Sequence, residues 1–330
     1  MIVLAGDIGG TKTLLQLSRS GPGGLEVLHE KRYVSADYGE FLALASHFVA
    51  EALQLTGMRP SRACFGVAGP VSGRLAKTTN LPWSLDADAL ETALNIERVR
   101  LINDFQSVGY GVDALKSDDI VTLQQGEERP HGTRAIIGAG TGLGQAFLVW
   151  QADHYEVVAS EGGHADFAPT DDEQVELLRY LRKRYRWATW ERAVSGRGLV
   201  NVFEFLLERK HAPLCAPLQQ ALREEDHAAA ISRYGMRGED ATAAKALAMF
   251  VTLYGAQAGN LALTGLATGG VYLAGGVAPK IIDKLTDGSF MQAFLDKEER
   301  MQALLKAMPV RVIVNPNVGL LGSAIAASRL

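Results

Sequence analysis

Cysteine is scarce in this chain: Cys64 and Cys215 are the only two among 330 residues. Two cysteines cannot build a disulfide framework, and no Cys/His spacing typical of a metal site is present. An excess of one charge is also lacking, since a formal net charge of −4 gives no global attraction for nucleic acid. The first apolar run ends at Asp7 and has no basic flank, so we find no signal-peptide pattern and expect a cytoplasmic protein.

Two segments have compositions that raise the question of a membrane or nucleic-acid partner. No charged residue lies between Ala246 and Ala278, a length that could cross a bilayer. Polar interruptions such as Gln257 and Asn260 predict instead a buried helix to about Leu266, followed by a strand. In "RYLRKRYRWATWERAVSGRG", an apolar helical face leaves the basic residues on the solvent side. We therefore expect no membrane and no nucleic acid as partners.

Strand and helix signals alternate along the chain and predict an α/β protein long enough for two domains. The stretches "IVLAGDIGGTKTLLQL" and "AIIGAGTGLGQAFLVW" share one order: an apolar strand, a small-residue turn containing Thr, and a second strand. This similarity indicates two related halves. No low-complexity linker separates them, so we predict two α/β domains that touch across a cleft.

Three glycine-rich turns, "GDIGGT", "GAGTGLG" and "AGGVAPK", each follow an apolar strand. Backbone N–H groups can point at a phosphate there, and glycine permits close approach of a ligand. Each turn alone is at least as often an ordinary hairpin, and none matches a P-loop or a dinucleotide fingerprint. The residues expected to bind a nucleotide are Gly6, Asp7, Ile8, Gly9, Gly10, Thr11, Gly140, Thr141, Gly142, Gly275 and Gly276. Asp7 is expected to face the accompanying metal, directly or through water.

The stretch "LINDFQS" places Asn103 and Asp104 between a predicted strand and a predicted helix. An ionised aspartate there can hold a hydroxyl group and accept its proton. Either residue could instead cap the helix, and the residue types alone favour this capping role.

Polar side chains also surround a Gly-Gly turn in "SEGGHADFAP". Glu161 and His164 can be aimed into one small space by this turn, and Glu191 follows in "WERAVSGRG". The alternatives are a buried structural histidine and two surface carboxylates. Zinc at His164 is rejected, because neither Cys64 nor Cys215 lies near it in the sequence.

Taken together, these motifs resemble those of the bacterial glucokinase family, in the actin-like ATPase superfamily. The resemblance rests on "GDIGGTKT", "GPVSGR", "TTNLPW", "INDF", "GAGTGLG", "EGGHADFAP", "ERAVSGRGLVN" and "LAGGVAPK", and it runs from Ile2 to about Ala327. Lys12 departs from it, since many close glucokinases have Asn there. "DIGGTK" is also seen in the related repressor–kinase (ROK) sugar kinases.

The resemblance implies a two-domain actin-like ATPase (ribonuclease H-like) fold with a cleft between the domains. The smaller N-terminal domain would comprise residues 1–112 plus 318–330, with the last helix packed back onto it. The larger domain would comprise residues 113–317. A homodimer is implied as well.

The activity implied is that of a glucokinase: ATP and Mg²⁺ phosphorylate D-glucose to glucose 6-phosphate, the first step of glycolysis. Asp104 would be the general base. The residues implied for sugar binding are Asn103, Asp104, Glu161, His164 and Glu191, with Asn80 and Gly69 nearby.

Other functions stay open at this point. Lys12 leaves room for a kinase of another hexose, such as fructose, mannose or an amino sugar. A non-catalytic sugar-sensing protein could share the fold, although only six residues precede Asp7 and leave no room for a DNA-binding module. Trp187 and Trp190 lie outside the pattern of the resemblance, beside Glu191.

Overall fold

The computed structural model describes residues 1–330 as an α/β protein. The strands are β1 (Ile2–Ile8), β2 (Lys12–Gly21), β3 (Gly24–Val34), β4 (Arg62–Val67), β5 (Val71–Ser72), β6 (Leu75–Lys77), β7 (Ser84–Asp86), β8 (Arg98–Asn103), β9 (Ile120–Gln124), β10 (Arg134–Ala139), β11 (Leu143–Gln151), β12 (His154–Ser160), β13 (Gly270–Ala274) and β14 (Val310–Ile313). The helices are α1 (Phe41–Thr56), α2 (Ala87–Leu94), α3 (Asp104–Gly111), α4 (Asp172–Arg184), α5 (Gly196–Glu208), α6 (Ala216–Glu224), α7 (His227–Arg237), α8 (Ala241–Gly265), α9 (Ile282–Leu285), α10 (Ser289–Leu295), α11 (Glu299–Ala307) and α12 (Val318–Ser328).

The chain forms two compact units. Unit 1 consists of Met1–Ser117, Tyr155–Val157 and Asn315–Leu330. Unit 2 consists of Asp118–His154 and Val158–Val314. The domain boundaries and the cleft expected from the resemblance stay predictions.

Unit 1 contains a five-stranded sheet with the order β3-β2-β1-β4-β8. β1 pairs antiparallel with β2 and parallel with β4, and β4 pairs parallel with β8. Because parallel strands end on the same side of a sheet, the carboxyl ends of β1, β4 and β8 meet at one edge. The first glycine turn leaves β1 at this edge, and Asp104 follows β8 there.

Helix α12 packs against α3 and β1, so the C-terminus of the chain belongs to the same unit as its N-terminus. The contact with α3 is close: a Cβ at Gly322 would collide with the Ser107 carbonyl, and one at Gly111 with the Val318 carbonyl. The expectation that the last helix packs back onto the N-terminal domain is confirmed.

Unit 2 contains most of a six-stranded sheet with the order β12-β11-β10-β13-β14-β9. β10 pairs antiparallel with β11 and parallel with β13, which is how β1 pairs with β2 and β4. The similarity of the two hairpins predicted from the sequence is confirmed in this pairing. It also brings the second and third glycine turns, after β10 and β13, to one edge of the sheet.

The apolar segment after Lys245 forms the C-terminal part of helix α8 and then strand β13, as predicted. α8 is the one helix long and apolar enough to cross a bilayer, but 78% of its apolar stretch is buried inside the protein. Its fully buried Phe250 and Tyr254 contact each other, and the Tyr254 ring also packs edge-on against Phe290 of α10, which in turn stacks on Phe294. By its burial, α8 is a core helix of unit 2.

The basic, aromatic segment forms the amphipathic helix α4 and the turn that follows it. Leu177 and Leu181 are fully buried, whereas Arg179, Arg182 and Lys183 are exposed. The predicted division between an apolar and a solvent face is therefore confirmed.

Substituting Gly255→Ala tests the close packing of α8 on α10. In a free helix this change stabilises by about 1 kcal/mol. Here the new Cβ would collide with the Phe290 carbonyl, and overpacking costs about 1–3 kcal/mol. We expect a lower free energy of unfolding by urea denaturation, whereas Gly21→Ala, where the added Cβ meets nothing, serves as the control. A stabilised Gly255→Ala variant would contradict the close contact.

Candidate active site

Asp104 is the first residue of α3, and its neighbours fix it there. The side chain of Asn103 caps the helix by accepting a hydrogen bond from the Phe105 N–H at 2.9 Å. Gln106 completes the capping box by accepting from the Asn103 N–H at 3.1 Å. The amide of Asn103 also donates to the Gly69 carbonyl at 3.3 Å. Of the two residues that the sequence offered as a cap, Asn103 is thus the one that caps the helix. Asp104 follows it as the first helical residue.

The Asp104 carboxylate is half-buried, and this burial raises its pKa to about 6. The hydrogen bond from the Phe105 N–H lowers this pKa, and the negative charge of nearby Asp7 raises it. Burial also raises the pKa of Asp7, against a lowering by Lys12. The charge of Asp7 disfavours the ionised form of Asp104, so a cation or a proton donor near the two carboxylates would be bound favourably.

Buried hydroxyl groups connect the elements that hold these two carboxylates. Ser323 on α12 donates to the Gly6 carbonyl at 2.9 Å and lies 3.2 Å from the hydroxyl of Ser107 on α3. At the start of α12, an added Cβ at Gly319 would lie 3.7 Å from the Asp7 carboxylate. Sequence reasoning missed these residues, because single serines and glycines in Ala-rich helices carry no local signal.

Hydrogen bonds hold the first glycine turn at Gly9. The Gly9 N–H donates to the Lys12 carbonyl at 3.0 Å, and the Gly9 carbonyl accepts from the Ser35 hydroxyl at 3.0 Å. A Cβ at Gly10 would come within 2.8 Å of Asn80, so Asn80 lies beside this turn. Thr11 is exposed, whereas Ile8 is fully buried in β1 and contributes only its backbone. In unit 1, the first glycine turn and Asp104 therefore lie at the same edge of the sheet.

In unit 2, Glu191 and the turn between Glu161 and His164 both contact Leu143, the first residue of β11. The Leu143 N–H donates to the Glu191 carboxylate at 3.1 Å. Gly163 packs so closely on the Leu143 carbonyl that a Cβ there would collide with it. The side chains of Glu161 and His164 are exposed, with 3.8 Å between His164 Nε2 and Glu161 Oε2. Glycine is thus required at position 163, because the turn approaches the backbone of β11 too closely for a Cβ atom.

Backbone pairing explains why Glu191 reaches this place from a distant segment. The Trp190 N–H donates to the Ala165 carbonyl at 3.0 Å, and the Phe167 N–H donates to the Ala188 carbonyl at 2.9 Å. Trp190 is buried edge-on against Phe167, so the residue next to Glu191 is anchored in the core.

Trp187 differs from Trp190 in its surroundings. It is 63% exposed, and the Arg186 guanidinium lies 4.5 Å from its ring centroid. Its side chain takes no part in the contacts that hold Glu191.

The second and third glycine turns share the wall of a cavity of about 1150 Å³, slightly above the roughly 300–1,000 Å³ typical of small-molecule sites. Gly140, Thr141 and Gly276 line this cavity. Gly142 lies instead against Glu191, whose Oε2 would be 2.5 Å from an added Cβ. Gly275 adopts a left-handed φ of 84° and packs on the Ala139 carbonyl, so it forms the turn without lining the cavity.

Sequence reasoning missed much of the cavity wall, which comes from the N-terminal part of α5, from the length of α7 and from the turn after Gly276. Its further lining residues are Gly196, Arg197, Leu199, Val200, Glu225, Asp226, His227, Ala228, Ala229, Ser232, Arg233, Met236, Arg237, Val277 and Lys280. The "SGRG" motif before α5 was the one available signal. The α7 residues carry none, because their spacing is that of an ordinary helix.

Asp104→Asn tests the raised pKa. Since the folded protein holds the Asp104 proton more tightly than the unfolded chain, this residue lowers the free energy of unfolding as the pH rises from about 4 to about 6. We expect the stability of Asp104→Asn relative to wild type to increase over this range and to level off above it, by on the order of 1–3 kcal/mol.

Urea unfolding at several pH values, in EDTA, measures this difference. Asp37→Asn, at an exposed position of the same unit, is the matched control. A difference that does not change with pH would show that Asp104 titrates as a free aspartate.

The chain is similar to known proteins over its full length. The family model described as "Glucokinase" matches residues 4–330. The chain is 43% identical over 343 residues to a glucokinase of Nostoc sp. (strain PCC 7120), covering 100% of this chain and 99% of the relative. It is 44% identical over 347 residues to a glucokinase of Synechocystis sp., covering 99% and 98%.

Among solved structures, the glucokinase from an Antarctic psychrotroph superposes with a TM-score of 0.88 at 28% identity, covering 100% of this chain and 99% of that one. The two-domain actin-like ATPase fold expected from the motifs is thereby confirmed. The chain belongs to the glucokinase family of hexose kinases.

Proposed function

We propose that this protein transfers the γ-phosphoryl group of ATP to the 6-hydroxyl of D-glucose and releases glucose 6-phosphate and ADP. The observation that carries the proposal is Asp104: a half-buried carboxylate with its pKa raised to about 6, held at a sheet edge by the Asn103 cap. A general base works best when its pKa lies near the working pH. Asp104 is ionised at neutral pH and is still a stronger base than a free aspartate.

In the proposed reaction, the carboxylate of Asp104 accepts the proton of the sugar 6-hydroxyl as its oxygen bonds to the γ-phosphorus. The bond from that phosphorus to the bridging oxygen breaks, and ADP leaves with the electron pair. Phosphoryl transfer needs little covalent help beyond this, so the remaining residues position the reactants. The capping box and the bond to Gly69 keep the carboxylate in one place.

For the sugar we propose Asn103 and Asp104 of unit 1 and Glu161, His164 and Glu191 of unit 2. The Glu191 carboxylate and the Gly162–Gly163 turn between Glu161 and His164 both contact the backbone around Leu143, which supports a common role. Carboxylates and an imidazole offer several acceptors and a donor for neighbouring hydroxyl groups. A site of this kind favours a sugar whose hydroxyl groups match these donors and acceptors.

For the donor we propose the glycine turns, with the nucleoside in the cavity of unit 2. Gly9, Gly10 and Thr11 would contact phosphate oxygens, as would Gly140 and Thr141. The third turn, Gly275–Gly276, would lie beside the nucleoside.

Asp7 fits a magnesium ion, directly or through water. Mg²⁺ keeps several waters and binds through one or two carboxylates plus substrate phosphates, so a cluster of three protein ligands is not needed. Such clusters are absent from residues 1–330. The burial of Asp7 and its proximity to Asp104 favour a cation there. The ion would supply neutralisation of phosphate charge.

The setting we propose is a cytoplasmic homodimer acting in glycolysis, with domains at residues 1–112 plus 318–330 and 113–317. The low net charge and the burial of α8 are consistent with a protein that needs neither nucleic acid nor a membrane.

Asp104→Asn is expected to lower kcat with glucose by about 10²- to 10⁴-fold, because the amide cannot accept the proton. Glucose affinity by calorimetry should change little, since the amide keeps its hydrogen-bonding shape. A coupled assay with MgATP and glucose, fructose, mannose or N-acetylglucosamine measures both activity and sugar choice, with Asp37→Asn as control. Turnover of another sugar alone would make the protein a different hexose kinase. Binding of sugar without any turnover would favour the sugar-sensing alternative.

Glu191→Gln is expected to raise KM for glucose about 10- to 100-fold, because it removes a charged acceptor from the sugar site. The glutamine can still accept the Leu143 N–H, so the backbone support stays. Glu299→Gln, at an exposed position of α11, is the matched control. An unchanged KM would remove Glu191 from the sugar site.

A further inference from the structure

The large cavity of unit 2 carries two cationic side chains without a partner. Arg197 is the second residue of α5, and Lys280 lies in the turn Ala278–Ile281 that follows the third glycine turn. Both line the cavity, both are exposed, and no ion pair or side-chain hydrogen bond joins either of them to the protein.

The other charged residues of the cavity wall are already engaged. Arg233 forms two hydrogen bonds with the Glu225 carboxylate, at 2.7 and 2.8 Å. Asp226 caps α7 by accepting the Ala229 N–H at 2.9 Å. Arg237 lies 3.8 Å from Glu239. The excess positive charge of the wall therefore resides on Arg197 and Lys280.

Backbone hydrogen bonds fix Arg197 beside the second glycine turn. The Gly196 N–H donates to the Gly140 carbonyl at 2.8 Å, directly before Arg197. Ser195 caps the same helix by accepting the Gly198 N–H at 2.9 Å, directly after it. The backbone of Arg197 is thus held on both sides, while its side chain is free to extend along the cavity.

Backbone hydrogen bonds also fix the segment that carries Lys280. The Val277 N–H donates to the Ala139 carbonyl at 3.1 Å, and the Lys280 N–H donates to the Val277 carbonyl at 3.0 Å. Ala139 and Gly140 are consecutive, so the segments that carry the two cations are both hydrogen-bonded to the carboxyl end of β10.

We propose that Arg197 and Lys280 bind the phosphate chain of the donor from the two segments attached to β10, and that they determine the affinity for a triphosphate over a nucleoside. This inference rests on the proposed function, which places the donor in this cavity. Arg197 can make two parallel hydrogen bonds to phosphate oxygens, whereas Lys280 acts as a compact point charge. They act as positioning residues for the phosphates, with the chemistry left to Asp104.

Isothermal titration calorimetry on the full chain tests this with four ligands: MgATP, AMP, adenosine and inorganic tripolyphosphate. Arg197→Ala and Lys280→Ala are each expected to weaken MgATP and tripolyphosphate about 5- to 30-fold and to leave adenosine unchanged. Arg197→Lys should recover part of the loss. The loss should shrink as salt is raised, because exposed charges are screened.

Arg223→Ala and Lys306→Ala are the matched controls, since both residues are exposed and lie outside the cavity. Circular dichroism and thermal melting check that every variant is folded. Equal weakening of adenosine and MgATP would indicate a purely structural role and overturn the inference.

Variants that bind MgATP as tightly as the wild type would also overturn it, while the proposed kinase activity would stand. A wild-type protein that binds no adenine nucleotide and phosphorylates no sugar would instead overturn the proposed function, and this inference with it.

Discussion

The carboxyl end of strand β10 is the point on which unit 2 depends. The Ala139 carbonyl accepts from Val277, and the Gly140 carbonyl accepts from Gly196. Behind it, the buried hydroxyl of Tyr254 accepts from the Ala139 N–H at 3.4 Å and donates to the Ile137 carbonyl at 3.1 Å. Two loops and the core helix α8 are thereby fixed to one residue pair. Because each buried backbone group needs a partner, none of these segments can shift alone.

In unit 1, the central feature is a pair of carboxylates, those of Asp7 and Asp104. Burial raises the pKa of both Asp7 and Asp104, and the charge of Asp7 raises the pKa of Asp104 further. Neutral hydrogen bonds hold the elements that carry these carboxylates. Asn103 caps α3, and the Ser323 hydroxyl joins β1 to α3. Such stored electrostatic strain is typical of functional sites, where it prepares a group for proton transfer or for a cation.

The sequence was most informative where a function needs a particular residue type in a short segment. Asp104 after a strand, the glycine turns and the Gly-Gly turn before His164 were all predicted from a few adjacent letters, and the glucokinase family followed from their order. The partners Ser323 and Tyr254 were not, because each contacts its partner from far along the chain. Ser323, for example, meets Gly6 across 317 positions, and a lone serine in an Ala-rich helix has no periodicity to distinguish it.

The sequence by itself determined the α/β class, the two related hairpins, the amphipathic α4 and the buried α8, because strand and helix periods are local properties. It could not determine that Asn103 is the cap while Asp104 keeps a raised pKa, since that shift depends on burial and on the charge of Asp7. Nor could it show that Glu191 is held by the Leu143 N–H, or that Arg197 and Lys280 share one cavity. Only the tertiary structure decided these points, because electrostatics and close approach depend on distances in space between residues remote in the chain.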